Sequence, residues 1–425
     1  MRTIERYESQ VRSYVRSFPT VFERAKGALL WDREGKEYID FFAGAGTLNY
    51  GHNNPKVSEA LIKHIQADGI VHGLDKATVA KIDFLERLQQ TILQPRNLDY
   101  MVQFTGPTGT NAVETALKLA RMVKRRSNVV SFTNGYHGLT MGALAVTGND
   151  FYRDESYGVR VNADSVPFDG YFGADVNTID YLRKLLQDGS SGVDLPAAII
   201  VESVQAEGGV NVASVKWLQE LSALCQEMDI LLIMDEIQVG NGRTGTFFSF
   251  EEAGIYPDIV CLSKSLGGGL PLAILLIRHE LDQWQPGEHT GTFRGNNLAF
   301  VAATQLFDYW ETDDFSRAVV HKGKHLRKTL EGFTKDFPEF EMSVRGKGMI
   351  LGMECPQKGM ASAITTAAFE RGLILETCGN VGQVVKFLPS LTITEENLNK
   401  GLAILKESIE TIQENRAKAL IGEEV

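Results

Sequence analysis

An α/β fold built on a mostly parallel sheet is what this sequence predicts, and three observations carry that expectation. From residue 56 to about 310, short apolar runs alternate with helical patterns, as parallel strands joined by crossover helices require. Two of those runs, Ile230 to Met234 and Ile259 to Leu262, are apolar without alternation, which marks strands covered on both faces. Each is followed by a charged residue: Asp235 directly after the first run, and Lys264 after the second with only Ser263 between. Neighbouring parallel strands would bring that acid and that amine to one rim. Ligands of open α/β sheets bind outside the carboxyl ends of the strands, so this rim is the expected place for chemistry.

A chain of 425 residues can bury a large core and is expected to form two or three domains. Its 43% hydrophobic and 23% charged residues are globular values, and no apolar run approaches the roughly 18 residues of a membrane span. A net charge of −11 argues against a nucleic-acid surface, and the one basic block, Lys124-Arg-Arg, reads as a helix end. Cys225, Cys261, Cys355 and Cys378 are scattered without a C-x-x-C pair, and the first ten residues lack the apolar core of a signal peptide. A reduced, cytoplasmic protein is therefore expected. His321 and His325 share one helix face, but no third ligand is evident, so a solvated helix is expected and no metal site.

In chain order, Glu5 to Ser17 reads as an amphipathic segment, and Gly27 to Asp40 as a hairpin turning at Glu34-Gly35. Small residues in Phe41-Phe-Ala-Gly-Ala-Gly-Thr-Leu-Asn-Tyr50 let backbone approach a ligand closely. Tyr100 to Thr105 leads into Gly106-Pro-Thr-Gly-Thr-Asn111 and then a helix with apolar positions at Ala112, Ala116, Leu117, Leu119, Ala120 and Val123. A glycine-bearing turn that opens a helix offers free N–H groups and the positive end of the helix dipole to a phosphate, although an ordinary N-cap reads the same way. Tyr136-His137-Gly138 follows the strand Asn128 to Phe132; an aromatic there can lie on a flat ring, and His137 is read as a structural neighbour. Ala197 to Glu202 is a further buried strand ending in an acid, with Glu207 five positions on. Gly240-Asn-Gly-Arg-Thr-Gly245 satisfies the dinucleotide pattern, but Thr246-Phe-Phe-Ser-Phe250 starts no helical period, so a nicotinamide site is rejected. The last helix has Thr394 as N-cap, Glu395 and Glu396 in its first turn, and a buried stripe at Leu398, Leu402, Leu405, Ile409 and Ile412.

An acid and a lysine at one rim are what pyridoxal 5'-phosphate requires, since the amine bonds to the cofactor aldehyde and the carboxylate keeps the pyridine nitrogen protonated. A lysine after a strand can also be a plain solvated end. The stretch Asp235-Glu-Ile-Gln-Val-Gly-Asn-Gly-Arg-Thr-Gly245, followed by Lys264-Ser-Leu-Gly-Gly-Gly-Leu-Pro271, resembles the signature of class III, omega-type aminotransferases, and the likeness extends over nearly the whole chain. It implies the type I pyridoxal-phosphate aminotransferase fold. A large cofactor domain over 56–314 would carry the mixed, mostly parallel sheet. A smaller α+β domain over 315–425 would be joined by the N-terminal segment 1–55.

The same resemblance assigns roles. Lys264 and Asp235 would be catalytic, Gly109 and Thr110 would hold the cofactor phosphate, and Tyr136 and Gln238 would also contact the cofactor. Thr292 would reach the phosphate of the other subunit, which implies a homodimer or a dimer-based oligomer. Leu48 and Asn49, next to Thr47, would lie in the substrate cleft, and Arg294 stands where relatives carry a small residue. Glu207 would gate the substrate pocket by pairing with a cation, here Lys386 in place of an arginine; read alone, Lys386 is equally a solvent-facing strand residue. Lysine offers a carboxylate a point charge where arginine offers a fork, so a weaker grip is expected.

Glu8-Ser-Gln-Val-Arg-Ser-Tyr-Val-Arg-Ser-Phe-Pro19, the loop Ala43 to His52, Thr292-Phe-Arg-Gly-Asn296 and Val385-Lys-Phe-Leu-Pro389 are similar to the branch of the family that makes diaminobutyrate in ectoine biosynthesis. The implied reaction moves the amino group of L-glutamate to L-aspartate 4-semialdehyde, giving L-2,4-diaminobutyrate and 2-oxoglutarate, with a part in osmoadaptation. An omega-aminotransferase for ornithine, 4-aminobutyrate or acetylornithine would keep every cofactor residue, and a non-catalytic protein on the same fold is the alternative from another class.

Overall fold

The computed structural model describes residues 2–158 and 161–422. Seven strands form the main sheet, in the order Met101–Phe104, Ile274–Ile277, Ile259–Leu262, Leu231–Asp235, Ala198–Val201, Val129–Phe132 and Ala163–Val166. Ile274–Ile277 runs antiparallel to both its neighbours, and the remaining pairs are parallel, so the sheet is mixed and mostly parallel as expected.

The unbroken apolar runs have a direct cause in this arrangement. Leu232, Met234, Val260 and Leu262 point to one core, with Phe132, Trp217 and Phe300. Leu231, Ile233, Ile259 and Cys261 point to the other, under Ala112, Ala116 and Leu119 of the helix Gly109–Lys124. Both faces of the sheet are dry, so every position must be apolar until the strand leaves the core. Polar residues become tolerable only at the rim, where Asp235 and Lys264 lie.

A second core is built from both ends of the chain. The antiparallel sheet ordered Ser343–Lys347, Ile350–Glu354, Val384–Phe387 and Glu376–Cys378 packs with the helices Asp314–Asp336, Met360–Glu370 and Glu395–Gly422. Leu373–Ile374 pairs in parallel with the N-terminal strand Glu37–Asp40, and Ile39 and Phe41 share this core with Leu326, Leu351, Phe387 and Leu402. The N-terminal hairpin turns where expected, with Gly35 at φ 82. Thr394 Oγ1 accepts from Asn397 N at 3.2 Å, which is the expected cap, and Leu398, Leu402, Leu405 and Ile409 are buried below it.

The segment Glu5 to Ser17 does not form one amphipathic helix. It makes two short pieces, Arg2–Tyr7 and Tyr14–Ser17, with no buried residue in either. Between them Arg12 Nη1 donates to the carbonyls of Glu8 and Ser9, at 2.9 and 2.8 Å, taking acceptors that a continuing helix would use, and Val11 is left exposed. Among the described residues no helix is long and apolar enough to cross a membrane.

The Gly240–Gly245 stretch opens no helix, in agreement with the rejected dinucleotide site. It is a run of turns that buries Arg243 completely. Arg243 Nη1 donates to Met349 O at 3.0 Å and Pro389 O at 2.6 Å, and Nη2 donates to Asn49 Oδ1 at 2.5 Å. Burial lowers its pKa to about 9, with Asp40 opposing. One guanidinium thereby ties the loop after Asp235 to the second core and to the 43–50 loop. Arg243→Met should lower stability by about 3 kcal/mol or more, because three buried acceptors lose a charged donor together. Urea unfolding checks this, and an unchanged midpoint would contradict it.

Candidate active site

Asp235 is the last residue of its strand and pairs with Cys261 of the neighbouring strand, so Lys264 follows just beyond the same rim. The chain turns sharply there: Lys264 has φ 49 and begins the short helical turn Lys264–Gly267. A left-handed conformation at a non-glycine residue costs about 1–3 kcal/mol and persists where the surroundings over-determine it. Lys264 Nζ donates to Ala45 O at 2.9 Å. Desolvation pulls its pKa down to about 8, with Glu207 opposing and Lys386 assisting.

Ala45 is presented by a second strained turn. Ala43, Gly44, Ala45 and Gly46 have φ of 48, 59, 55 and 80, a left-handed run held from behind by Asp40 Oδ1, which accepts from Phe42 N and Ala43 N at 2.8 Å each. Gln238 Nε2 also donates to Ala45 O, at 2.7 Å, and to Glu207 Oε1 at 3.1 Å, which leaves Gln238 Oε1 buried without a partner. An unpaired buried acceptor costs free energy until a ligand donates to it.

Asp235 is held by two donors. His137 Nδ1 lies 2.7 Å from Oδ2, and Ile237 N donates to Oδ1 at 3.0 Å. His137 is thus more than a neighbour in a loop, since its buried ring fixes the aim of the carboxylate. Glu202 stands close by and accepts from Tyr136 N at 3.2 Å; burial and then the Asp235 charge raise its pKa well above the carboxylate range.

The helix Gly109–Lys124 begins against the same segment. Thr108 caps it reciprocally with Asn111, and a Cβ on Gly109 would come within 2.9 Å of Ile237 Cγ2, so only glycine lets the helix start close onto the Asp235 loop. Thr110 Oγ1 lies 2.7 Å from Thr140 Oγ1. The backbone N–H groups of Gly109 and Thr110 have no partner among the described residues and stand at the positive end of a 16-residue helix.

Beside this rim, a cavity of about 360 Å³ is lined by Tyr136, Tyr152, Arg153, Glu207 and Thr377, among others. The ring centroids of Tyr136 and Tyr152 are 5.6 Å apart, and burial, then Glu207, pushes the Tyr136 phenol up to about 12. Lys386 lies behind Glu207 and is fully buried, which overturns the reading of a solvent-facing strand residue. Its Nζ donates to Glu207 Oε1 at 2.6 Å and lies 3.0 Å from Glu376 Oε1. Burial works to raise Glu207, but Lys386 and Lys264 outweigh it and hold this carboxyl at about 2. Glu376 escaped sequence reasoning, although Gly379-Asn-Val-Gly382 between two short β-forming runs is a hairpin signal that sets Glu376 opposite Lys386.

The structure therefore gathers Lys264, Asp235, Gln238, Gly109, Thr110, Tyr136, Glu207 and Lys386 around one rim, and leaves others outside it. Asn49 Oδ1 accepts from Arg243 and its Nδ2 donates to Asn241 O at 3.0 Å, so both ends of its buried amide are spent on the scaffold. Leu48 packs toward Gly269 in the loop after Lys264. Arg294 donates to His289 O and lies 3.8 Å from Asp75, and it does not line the cavity. Thr292 is exposed, with His72 Nε2 2.7 Å from its carbonyl. His325 bonds Asn399 at 2.7 Å, and no metal-binding group of three ligands occurs among the described residues.

Comparison with known proteins settles the family. Residues 11–409 match the model described as aminotransferase class III. The chain belongs to the class III aminotransferases. The diaminobutyrate–2-oxoglutarate transaminase of Wolinella succinogenes is 62% identical over 419 residues, covering 98% of each chain, and that of Halalkalibacterium halodurans is 54% identical over 98% of each. Among solved structures, an ornithine aminotransferase from Toxoplasma gondii superposes with a TM-score of 0.85 at 27% identity, over 98% of this chain and 94% of its own. An N-acetylornithine aminotransferase from Stenotrophomonas maltophilia gives 0.77 at 27% identity, over 97% and 99%. This aminotransferase is accordingly an enzyme that depends on pyridoxal phosphate.

The residues present fit that group. An amine whose hydrogen-bond partner is a carbonyl, an orphaned amide oxygen at Gln238, a held carboxylate and two free N–H groups at a helix start form one acceptor and donor set. His137→Phe should weaken cofactor retention about tenfold or more, since a hydrogen bond to a charged group contributes about 1.5–3 kcal/mol. Cofactor absorbance after exhaustive dialysis measures this, and wild-type retention would contradict it.

Proposed function

We propose that this aminotransferase transfers the amino group of L-glutamate to L-aspartate 4-semialdehyde, forming L-2,4-diaminobutyrate and 2-oxoglutarate as the opening step of ectoine biosynthesis. The observation that carries this reading is the 52–62% identity, over at least 96% of this chain, to eight proteins named diaminobutyrate–2-oxoglutarate transaminase. A role in osmoadaptation follows from the same reading. So does a cytoplasmic enzyme, with which its four free, buried cysteines agree.

Bound pyridoxal phosphate supplies an electron sink and a carrier for the amino group. The chain supplies position and protons. Lys264, its pKa drawn down by burial to about 8, can both take and return a proton at Nζ. Asp235, aimed by His137 and Ile237 N, would keep the ring nitrogen protonated. Gly109 and Thr110 would hold the phosphate through backbone N–H groups, Gln238 Oε1 would accept from a donor on the ring, and Tyr136 would pack on it. Thr292, exposed in one subunit, would complete the phosphate site of a second, which makes the working unit a homodimer or a multiple of it.

Glu207 and Lys386 answer a demand that this pair of substrates makes. Glutamate places a distal carboxylate where diaminobutyrate, reacting through its terminal amine, places an α-ammonium and an α-carboxylate. Glu207 lies between Lys386 and the cavity and can cover the cation or yield it to a substrate carboxylate. Leu48, packed toward the loop after Lys264, remains a candidate substrate contact, whereas Arg294 lies off the cavity. The two cores support a division into a 56–314 large domain and a 315–425 small domain joined by residues 1–55.

Purified protein supplied with glutamate and a panel of semialdehydes tests the substrate: aspartate 4-semialdehyde should give the highest kcat/KM, and a higher value with the semialdehyde of glutamate or of acetylglutamate would assign another omega-aminotransferase. Lys264→Ala should lose about 10⁴-fold or more in turnover with an unchanged circular dichroism spectrum, because the covalent anchor and the proton carrier disappear together. Near-normal turnover would overturn the assignment of Lys264.

A further inference from the structure

Lys386 is balanced by two carboxylates of different kinds. Glu207 faces the cavity, and its side chain is 28% exposed. Glu376 lies directly across the sheet from Lys386, in the antiparallel pair of Glu376–Cys378 with Val384–Phe387, and is 9% exposed. The fully buried ammonium therefore already carries two negative neighbours, at 2.6 and 3.0 Å, and the cluster holds a net charge of −1 when both are ionised. Glu376 lies farther from the ammonium than Glu207, at 3.0 against 2.6 Å, and is more deeply buried, so of the two it is the carboxylate whose charge is less well supported.

A substrate carboxylate that comes to Lys386 adds a third negative charge to this buried cluster, even when Glu207 swings aside. Such a charge needs a compensating cation or proton. Of the groups that face Glu376, Glu207 repels it, Tyr14, Tyr152 and Cys378 are neutral with pKa values raised by burial, and Lys264 would be engaged at the cofactor; Arg153 lines the cavity and donates to Gly148 O at 2.8 Å, Arg345 is paired with Glu354, and neither is among the charges that act most on Glu376. We propose that Glu376 is a positioning residue that takes up one proton from solvent when a carboxylate binds at Lys386, so that dicarboxylate binding is coupled to protonation of the sheet behind the pocket. Diaminobutyrate, whose distal end brings an ammonium with its carboxylate, adds no net charge and needs no such proton. Burial, and repulsion from Glu207 against the pull of Lys386, hold Glu376 at about 7, where it can exchange a proton under ordinary conditions.

The sign follows from linkage. The bound carboxylate favours protonated Glu376, so affinity for a dicarboxylate is full below about pH 7 and falls above it, by up to about tenfold per pH unit. The inference rests on the reading of Glu207 and Lys386 as the carboxylate site, and the experiment separates the two. Glutarate, which cannot react, is titrated into the holoenzyme by calorimetry across neutral pH, in buffers of different ionisation enthalpy that report proton uptake. Wild type should take up close to one proton above neutrality. Glu376→Gln, which holds the neutral form, should bind glutarate with no pH dependence from this source and lose that uptake, and Glu376→Asp should restore it. Proton uptake that persists unchanged in Glu376→Gln, or is absent from wild type, overturns the proposal while leaving the site in place. If Lys386→Met leaves glutarate affinity unchanged, the site assignment fails and the proposal falls with it. Should Glu376→Gln not fold, the Asp variant decides, since a shorter acid must shift the pH at which uptake begins, and an unshifted profile overturns the role of Glu376.

Discussion

Two strands ending side by side set the geometry on which the rest of this enzyme depends. Because Leu231–Asp235 and Ile259–Leu262 pair in parallel, with Asp235 opposite Cys261, the acid ends its strand and the lysine follows just beyond the end of the neighbouring one, at the same rim of the sheet. The backbone must then turn at once, and it does so through a left-handed Lys264 facing a left-handed Ala43–Gly46 loop. Strain of this kind persists only when packing and hydrogen bonds over-determine it. Here Asp40 secures one turn through two backbone N–H groups, and Arg243 binds Asn49, Met349 and Pro389 to secure the loop that follows Asp235.

Charge balance is the second constraint. Glu202, Glu207, Asp235, Glu236 and Glu376 lie near the rim or behind it, all mostly shielded from water, against Lys264 and Lys386. They cannot all be ionised cheaply. The environment sorts them: Glu207, bonded to Lys386, is held at about 2, whereas Glu236, buried and bonded to the neutral Ser249, is pushed up to about 8 and Glu376 to about 7. The rim is thus built from carboxyl groups whose protonation differs by environment.

Much of this was legible in the sequence because it depends on local pattern. Two apolar runs closed by charged residues announce buried parallel strands, and Thr394 with its leucine stripe announces the final helix. Gly109 was readable as a helix start near an anion, since that role needs backbone alone. What the sequence hid depends on contacts across long separations. His137 looked like an ordinary loop histidine because its partner Asp235 is 98 positions away. Asn49 entered as a cleft residue through the family resemblance, and nothing local shows that Arg243, 194 positions on, claims its side chain. Lys386 was legible as a partner for Glu207 through the resemblance alone, since a lysine on a short strand is by itself as readily solvent-facing, and the cross-strand Glu376 that helps to bury it was not.

On the proposed reading, Glu207 and Lys386 let one pocket serve both substrates. Single-turnover rates of the two half-reactions, with glutamate and with diaminobutyrate, followed by cofactor absorbance in the Lys386→Ala and Glu207→Ala variants, test it most directly. Lys386→Ala should slow the glutamate half-reaction more than the diaminobutyrate one, and Glu207→Ala should tilt the ratio the other way. Equal losses in both halves for both variants would contradict it and leave the pair a structural one.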